Sequence, residues 1–127
     1  MPQYLLLLYD EPAGVEQFRK LPPAEMQKAM QQYLAWSDNA RQKGFFVASN
    51  KLTDGSGRVV RSSSGKPNVT DGPFSEAKEI LGGYYIIEAP NYNEAVQRIL
   101  DHPHLAHGTI ALREIEVIGS RASTSAA

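Results

Sequence analysis

The sequence predicts an α+β fold in which helices cover one face of an antiparallel sheet. Short apolar runs of strand length alternate with longer segments whose apolar residues recur every three to four positions. A Gly- and Ser-rich stretch in the middle of the chain holds two further short strands. The predicted order is β-α-β, a hairpin, then β-α-β. This is the split βαβ pattern of a ferredoxin-like fold with an inserted β-hairpin.

The first half of the chain is predicted to contain a strand, a helix and a second strand. Residues 4–9 form a continuous apolar run that stops at turn residues, so we expect a buried strand. The segment from Asp10 to Pro22 is predicted as a loop with one helical turn. A helix then begins at Pro22-Pro23, because Pro is favoured in the first turn, and ends before Gly44. The second strand is predicted at residues 45–48.

The second half of the chain is predicted to contain a hairpin, a strand, a helix and a last strand. The hairpin turn falls at Ser63-Ser64-Gly65. Asn91, followed three residues later by Glu94, resembles a capping box that starts the helix. Pro103 ends that helix. The four segments are residues 58–70, 84–88, 91–102 and 109–117.

Length and composition limit the classes of protein to which the chain can belong. The 127 residues suffice for one domain, predicted at residues 1–118, with residues 119–127 as a flexible tail. A formal net charge of -1 argues against direct binding of nucleic acid. The absence of cysteine excludes disulfides and thiolate zinc sites. No apolar run is long enough to cross a membrane. We therefore expect a cytoplasmic protein without a membrane partner and without a cofactor.

The first strand also predicts an oligomeric state. Residues 4–9 are apolar at every position, whereas two helices on one side cover only one face of a sheet. A second copy of the chain that packs sheet on sheet would cover the other face. The sequence therefore predicts a homodimer.

The tetrapeptide Asp71-Gly72-Pro73-Phe74 is the most distinctive motif. Overlapping Asp-Gly and Gly-Pro dipeptides favour a rigid corner, which would present one carboxylate and one phenyl ring. Asp71 is therefore a weaker catalytic candidate, and Phe74 is a candidate wall of a ligand pocket. The alternative is that Asp71 only caps its own turn and that Phe74 belongs to the core.

Several segments together resemble a known family. They are residues 4–9, residues 69–79 with the Asp-Gly-Pro-Phe tract, and residues 81–85, which read Leu-Gly-Gly-Tyr-Tyr. Together with Pro103 and the last strand, this pattern is similar to the DGPF-domain branch of the YCII-related superfamily over residues 3–118. The resemblance implies a dimeric α/β barrel built from ferredoxin-like subunits, and it implies no settled reaction.

The resemblance is compatible with two functions. The same barrel superfamily includes small isomerases and monooxygenases, which favours binding of a small organic molecule in a sheet-helix pocket with acid-base chemistry. The alternative is a non-catalytic, ligand-binding or regulatory protein that acts with an alternative sigma factor, since genes of the family often lie near genes for such factors. Whether the protein is an enzyme stays open at this point.

The resemblance also implies a candidate catalytic pair. YCII-type proteins are thought to use a His near the start of the first helix and an Asp directly before the Pro that ends the second. The matching positions here are Glu25 and His102, so the acid and the imidazole have exchanged places. A carboxylate beside a neutral imidazole is a plausible general base. The alternative is that both residues only complement helix dipoles.

Two further groups are weaker candidates for sites. Lys78, Arg58 and Arg61 are cations that could bind an anionic ligand, although isolated surface cations are usually solvated. His102, His104 and His107 form a His-x-His-x-x-His run. Its spacing matches known metal motifs poorly, and we therefore predict no native metal site.

Overall fold

The computed structural model describes residues 1–71 and 78–119. No helix in these ranges is long and apolar enough to cross a membrane. A 3₁₀ turn at Pro103–Ala106 separates the last helix from the last strand. The helices and strands are, in chain order, β1 (Gln3–Asp10), α1 (Pro12–Arg19), α2 (Pro23–Gln42), β2 (Phe46–Lys51), β3 (Arg58–Ser63), β4 (Lys66–Asp71), β5 (Ile80–Glu88), α3 (Tyr92–Ile99) and β6 (Thr109–Ile115).

The strands form two separate antiparallel sheets. The main sheet has the order β2-β5-β1-β6, and the hairpin β3-β4 forms a sheet of its own. This order confirms the predicted ferredoxin-like α+β fold with an inserted hairpin. The Gly72-Pro73-Phe74 part of the predicted corner and most of the predicted tail, residues 120–127, lie outside the described residues.

The core lies between the main sheet and the helices α2 and α3. Burial alternates along β1, so that Tyr4, Leu6 and Leu8 face the helices. Tyr85 and Ile87 of β5 lie on the same buried face. Helix α2 contributes Trp36 and Ala40 to this core, and α3 contributes Ala95 and Ile99. The period-2 pattern of the strands therefore meets the apolar stripes of the helices, which is the arrangement that the apolar spacing predicts.

The segment after β1 is more helical than predicted. A loop with one turn was expected, whereas α1 runs for eight residues from Pro12. Pro at the first position favours this start. None of its residues is buried. The sequence therefore lacks the core-facing apolar stripe from which a helix is predicted. Val15 and Phe18, two of its three partly buried residues, line a cavity.

The hairpin turn lies where the sequence predicts it. Ser64 and Gly65 connect β3 to β4, and both have positive φ angles, 52° and 78°. Two consecutive residues of this kind are typical of a tight two-residue hairpin turn. Both strands are largely exposed in the described structure.

The chain between α3 and β6 brings three histidines next to the sheet. Asn91 caps α3 by accepting a hydrogen bond from the backbone N–H of Glu94 at 2.9 Å, as predicted. After α3, His102 caps the 3₁₀ turn by accepting the backbone N–H of His104 through Nδ1 at 3.1 Å. This turn places His104 and His107 beside the end of β1.

Candidate functional site

A cavity of about 570 Å³ lies between the main sheet and the first two helices. Its size is in the range of sites for small molecules. One side is apolar and comes from α1, α2 and the short link between these helices. Polar groups come from the end of β1, from α2 and from the turn before β6. The apolar side includes Val15, Phe18, Leu21, Met30 and Leu34, and the polar groups include Asp10, Tyr33, His104 and His107.

Tyr33 and Asp10 each contact both His104 and His107, and we call these four residues the cavity cluster. The Tyr33 hydroxyl lies 2.8 Å from His104 Nδ1 and 3.1 Å from His107 Nε2. The Asp10 carboxylate lies 3.4 Å from His107 Nδ1 and 3.8 Å from His104 Nε2. His104 is buried, whereas Asp10 and His107 are 23% and 52% exposed. Two members of the cluster can therefore meet a ligand directly, and a third is held beneath them.

The backbone of β1 determines which nitrogen of His104 carries a proton. His104 Nε2 lies 2.9 Å from the carbonyl oxygen of Tyr9, and a carbonyl can only accept a hydrogen bond. Nε2 therefore donates, and a neutral His104 accepts the Tyr33 hydroxyl through Nδ1. The tautomer of His104 follows from these two contacts.

Gly108 makes the close approach of His104 to β1 possible. A Cβ atom at this position would lie 2.4 Å from His104 Nε2 and 2.6 Å from the Tyr9 carbonyl oxygen. Real Cβ atoms do not tolerate such distances, so any side chain here would displace His104. Glycine is thus required at position 108, directly before β6, because of its close contact with His104 and Tyr9 and not because of a turn.

Burial and the charge of Asp10 both raise the pKa of the Tyr33 hydroxyl, with burial as the larger cause. Tyr33 therefore stays protonated at neutral pH. It bridges the two imidazoles as a neutral phenol that donates one hydrogen bond and accepts others.

His102 lies on the opposite side of the same turn, in an aromatic environment. Its ring centroid lies 4.5 Å from that of Trp36 and 4.7 Å from that of Tyr85. Burial lowers its pKa to about 4, so the ring is neutral. Nδ1 accepts the N–H of His104, and Nε2 has no hydrogen-bond partner among the described residues. Neighbouring Asp101 accepts the indole N–H of Trp36 at 2.9 Å. These contacts hold the turn in place.

The predicted pair of Glu25 and His102 is not brought together. Glu25 is exposed on the first turn of α2, about 12 Å along the helix axis from Tyr33, whose ring contacts His102. His102 is only 2% exposed. Neither residue lines the cavity. The physical reason is that His102 turns its ring into the core to cap the 3₁₀ turn, away from solvent.

The other predicted site residues lie on the surface. Asp71 ends β4 and forms an exposed ion pair with Arg58 at 3.3 Å. Arg61 of β3 and Lys78 are exposed, and neither lines the cavity. Phe74 falls outside the described residues. The binding roles of these side chains therefore rest on the sequence alone.

Two members of the cavity cluster were not predicted from the sequence. Asp10 stood out only as the turn residue that stops the first apolar run, although an acid at the end of a buried strand is also well placed to face a pocket. Tyr33 follows Met26 and Met30 at the spacing of an apolar helix stripe. A tyrosine on such a stripe carries a hydroxyl group that needs a hydrogen-bond partner when it is buried. This hydroxyl is the feature of the sequence that indicates Tyr33 as a site residue.

The same cluster contains a set of atoms that could hold a metal ion. One ligand atom from each of Asp10, His104 and His107 lies within 4.8 Å of the other two. The group that converges is not the His102, His104 and His107 run of the sequence, for which no metal site was predicted, because His102 points away and Asp10 takes its place.

A YCII-related domain model matches residues 2–118. The chain belongs to the YCII-related family. Among curated proteins, an uncharacterized protein of Rhizobium meliloti (strain 1021) is 36% identical over 59 residues, which are 45% of this chain and 48% of that protein. The match thus spans about half the length of this relative.

A solved structure shares the fold of this YCII-related protein. It is 5-chloro-2-hydroxyhydroquinone dehydrochlorinase from Burkholderia phenoliruptrix AC1100, in complex with 2,5-dihydroxybenzoquinone. The TM-score is 0.51 at 12% sequence identity, over 90% of this chain and 93% of the enzyme. At this identity the likeness establishes a common fold.

Proposed function

We propose that the protein binds a small organic molecule in the cavity and moves a proton to or from it at the cavity cluster. The observation that carries this proposal is that Asp10, Tyr33, His104 and His107 converge beside the apolar side of the cavity. A ligand site of this type is mostly apolar and uses a few convergent polar groups to orient the molecule. Paired titratable groups at such a place are typical of acid-base chemistry.

The two sides of the cavity have different tasks in this proposal. The helix residues Phe18, Met30 and Leu34 contact the hydrocarbon body of the ligand. Asp10 and His107 are the exposed polar members, and they face its oxygen substituents and acidic hydrogens. Tyr33, hydrogen-bonded to buried His104 at 2.8 Å, holds His107 in position through a second hydrogen bond at 3.1 Å. His107 in turn meets Asp10 at 3.4 Å. General acid-base catalysis requires this kind of fixed geometry within hydrogen-bond reach of the reacting proton.

The structural neighbour favours a substrate class. Its name describes a dehydrochlorination, which removes a proton as well as chloride, and its ligand is a hydroxylated quinone. A ring of this kind has an apolar face for the helix side of the cavity and oxygen atoms for the cluster. We therefore propose hydroxylated aromatic or quinone molecules as ligands. This step rests on analogy with a protein of the same fold.

The proposal is tested with 2,5-dihydroxybenzoquinone as the probe. Its ring hydrogens exchange with solvent, so proton NMR in D₂O measures whether the protein accelerates proton transfer at carbon. We expect acceleration by the wild type and a loss of at least about 100-fold in Asp10→Asn, the lower end of the range for general acid-base catalysis. Glu25→Gln serves as the control and keeps the wild-type rate. A wild-type protein that neither binds the quinone nor accelerates exchange would overturn the proposal.

We also propose that the protein is a homodimer. Leu5 and Leu7 of β1 lie on the sheet face opposite the helices, and Leu5 pairs with Ile86 while Leu7 pairs with Ala111. An apolar sheet face of this kind is usually covered. Analytical ultracentrifugation should find a dimer for the wild type and a monomer for Leu7→Glu. A monomeric wild type at micromolar concentration contradicts the proposal. Partnership with an alternative sigma factor stays a prediction.

A further inference from the structure

Three ligand atoms of the cavity cluster have the spacing that a metal site requires. In a tetrahedral zinc site with bonds of 2.0–2.2 Å, neighbouring ligand atoms lie about 3.4 Å apart. His107 Nδ1 and Asp10 Oδ1 are 3.4 Å apart, and His104 Nε2 and Asp10 Oδ1 are 3.8 Å apart. All three ligand atoms lie within 4.8 Å of one another. The arrangement must contract to become a coordination site, and the two partly exposed members can move: Asp10, 23% exposed, toward buried His104, and His107, 52% exposed, toward both.

The second nitrogen of each imidazole has the partner that a metal-bound histidine needs. A metal-ligating histidine almost always donates its other N–H to an oxygen. His104 Nδ1 and His107 Nε2 both meet the hydroxyl oxygen of Tyr33, at 2.8 and 3.1 Å. This oxygen can accept both hydrogen bonds. The metal-facing nitrogens, His104 Nε2 and His107 Nδ1, would then both carry lone pairs.

The hydrogen bonds of the cluster leave two acceptors face to face. When His104 donates to Tyr9 and accepts from Tyr33, His107 must donate its Nε2–H to the Tyr33 oxygen. A neutral His107 then turns the lone pair of Nδ1 toward the Asp10 carboxylate at 3.4 Å. Two facing acceptors repel each other unless a cation lies between them. Either a metal ion or an added proton resolves this contact, and the experiment must separate the two.

We propose that Asp10, His104 and His107 bind one divalent transition-metal ion at the cavity, with Tyr33 as the outer partner of both imidazoles. Two imidazoles and one carboxylate suit zinc, iron, cobalt, nickel or manganese better than magnesium or calcium. Three protein ligands leave a coordination position open, as in catalytic zinc sites. Asp10 and His107 line the cavity, so that position is available to water or to an oxygen of the ligand.

Binding of the ion changes two hydrogen bonds in a defined way. The single proton of neutral His104 moves from Nε2 to Nδ1 by exchange with solvent, with no net release, and Nδ1–H then donates to the Tyr33 oxygen while the Tyr33 O–H turns toward water. The Tyr9 carbonyl oxygen, 2.9 Å from Nε2, loses this donor. Since Gly108 leaves space beside both atoms, the backbone already accommodates this arrangement.

Metal binding is measured on full-length protein that has been freed of metal with EDTA. Co²⁺ is titrated while its visible absorption is recorded, because that absorption reports coordination by nitrogen and oxygen. Zn²⁺ affinity is measured by competition with a chromophoric chelator. We expect one equivalent to bind. Asp10→Asn and His107→Ala should each weaken binding by at least about 100-fold, and Tyr33→Phe by about 10- to 100-fold.

Asp54→Asn is the matched control, because Asp54 lines the same cavity but pairs with Lys51 at 3.2 Å. It should leave the metal affinity unchanged. Circular dichroism of each variant excludes loss of the fold, and His107→Gln replaces His107→Ala if that variant is unfolded. Absence of saturable binding, or binding that the Asp10 and His107 variants leave unchanged, overturns the metal site. So does an NMR spectrum that shows a proton on both nitrogens of His107 in protein exposed to Zn²⁺.

Failure of the metal site can be distinguished from failure of the proposed function. The metal proposal rests on ligand geometry and does not require the proposed reaction. Metal-free protein that still accelerates exchange of the quinone hydrogens, and that binds no Co²⁺ or Zn²⁺, would refute the metal site and leave the proposed function standing.

Discussion

His102 and His107 lie five residues apart on the same short turn, and their surroundings differ completely. His102 is 2% exposed, packs against Trp36 and Tyr85, and uses its one acceptor to cap the turn. His107 is 52% exposed and meets Asp10, Tyr33 and the cavity. One side of the turn, with His102, therefore stabilises the fold. The other side, with His107, is exposed to the cavity and can contact a ligand.

The largest expected difference concerns stability. His102→Ala removes a buried ring from an aromatic cluster and should lower the free energy of unfolding by about 2–4 kcal/mol, as other large-to-small core substitutions do. His107→Ala alters an exposed side chain and should change it by less than about 0.5 kcal/mol. Urea denaturation followed by circular dichroism measures both. Equal losses in the two variants would remove the distinction between the two sides.

The neutral state of His102 predicts a pH dependence of stability. In the unfolded chain its pKa returns to the ordinary value of 6.5, whereas burial lowers the folded pKa to about 4. The unfolded state therefore binds a proton first as the pH falls. The free energy of unfolding therefore has its full value above about pH 6.5. It decreases by about 3 kcal/mol as the pH falls toward 4.

Urea denaturation in EDTA between pH 4 and 7 tests this dependence. His102→Asn is the comparison variant, because Asn still offers an oxygen to the His104 N–H but does not titrate in this range. The difference in stability between wild type and variant should shrink as the pH falls. A difference that stays constant with pH would show that burial does not lower the pKa of His102 in the folded protein.

Gly108→Ala tests the link between the two sides of the turn. The added methyl group would lie 2.4 Å from His104 Nε2, so His104 must leave the Tyr9 carbonyl. We expect a loss of about 1–3 kcal/mol in stability, which is typical of overpacking. The same variant should weaken the binding of Co²⁺ or of the quinone. Calorimetry that finds unchanged affinity in a folded variant would show that the position of His104 does not matter to the cluster.

The smallest expected effect concerns Trp36→Phe. This substitution removes the indole N–H that donates to Asp101 at 2.9 Å, and it keeps an aromatic ring in the core. We expect a loss of about 1 kcal/mol and no change in the rate of quinone proton exchange. Thermal unfolding and the NMR exchange assay report the two quantities separately. A slower exchange in this variant would show that the buried side also contributes to the chemistry.

The fold could be predicted because its strands and the helices α2 and α3, which pack on the core, carry their own periodicity. Residues 4–9 are apolar and of strand length, and Asn91 with Glu94 forms the predicted cap. The eight-residue helix α1 escaped prediction because it buries no residue. The period-2 and period-3.6 patterns of apolar residues arise from contact with the core. A helix that lines a cavity instead shows such a pattern only weakly in the sequence.

The cavity cluster could be predicted only in part, because its contacts span the chain. The Tyr33 contacts to His104 and His107 bridge 71 and 74 positions, and the His104 contact to Tyr9 bridges 95. Local spacing carries no information on such distances. The predicted pair of Glu25 and His102 came from positions at element ends, and such positions do not determine the direction in which a side chain points.

The central claim is that a ligand meets the protein at the cavity cluster. A crystal structure of the protein soaked with 2,5-dihydroxybenzoquinone tests this most directly. We predict the ring against Phe18, Met30 and Leu34, with a quinone oxygen within hydrogen-bond distance of Tyr33, Asp10 or His107. A quinone bound outside the cavity, or inside it without a polar contact to these residues, would contradict the claim.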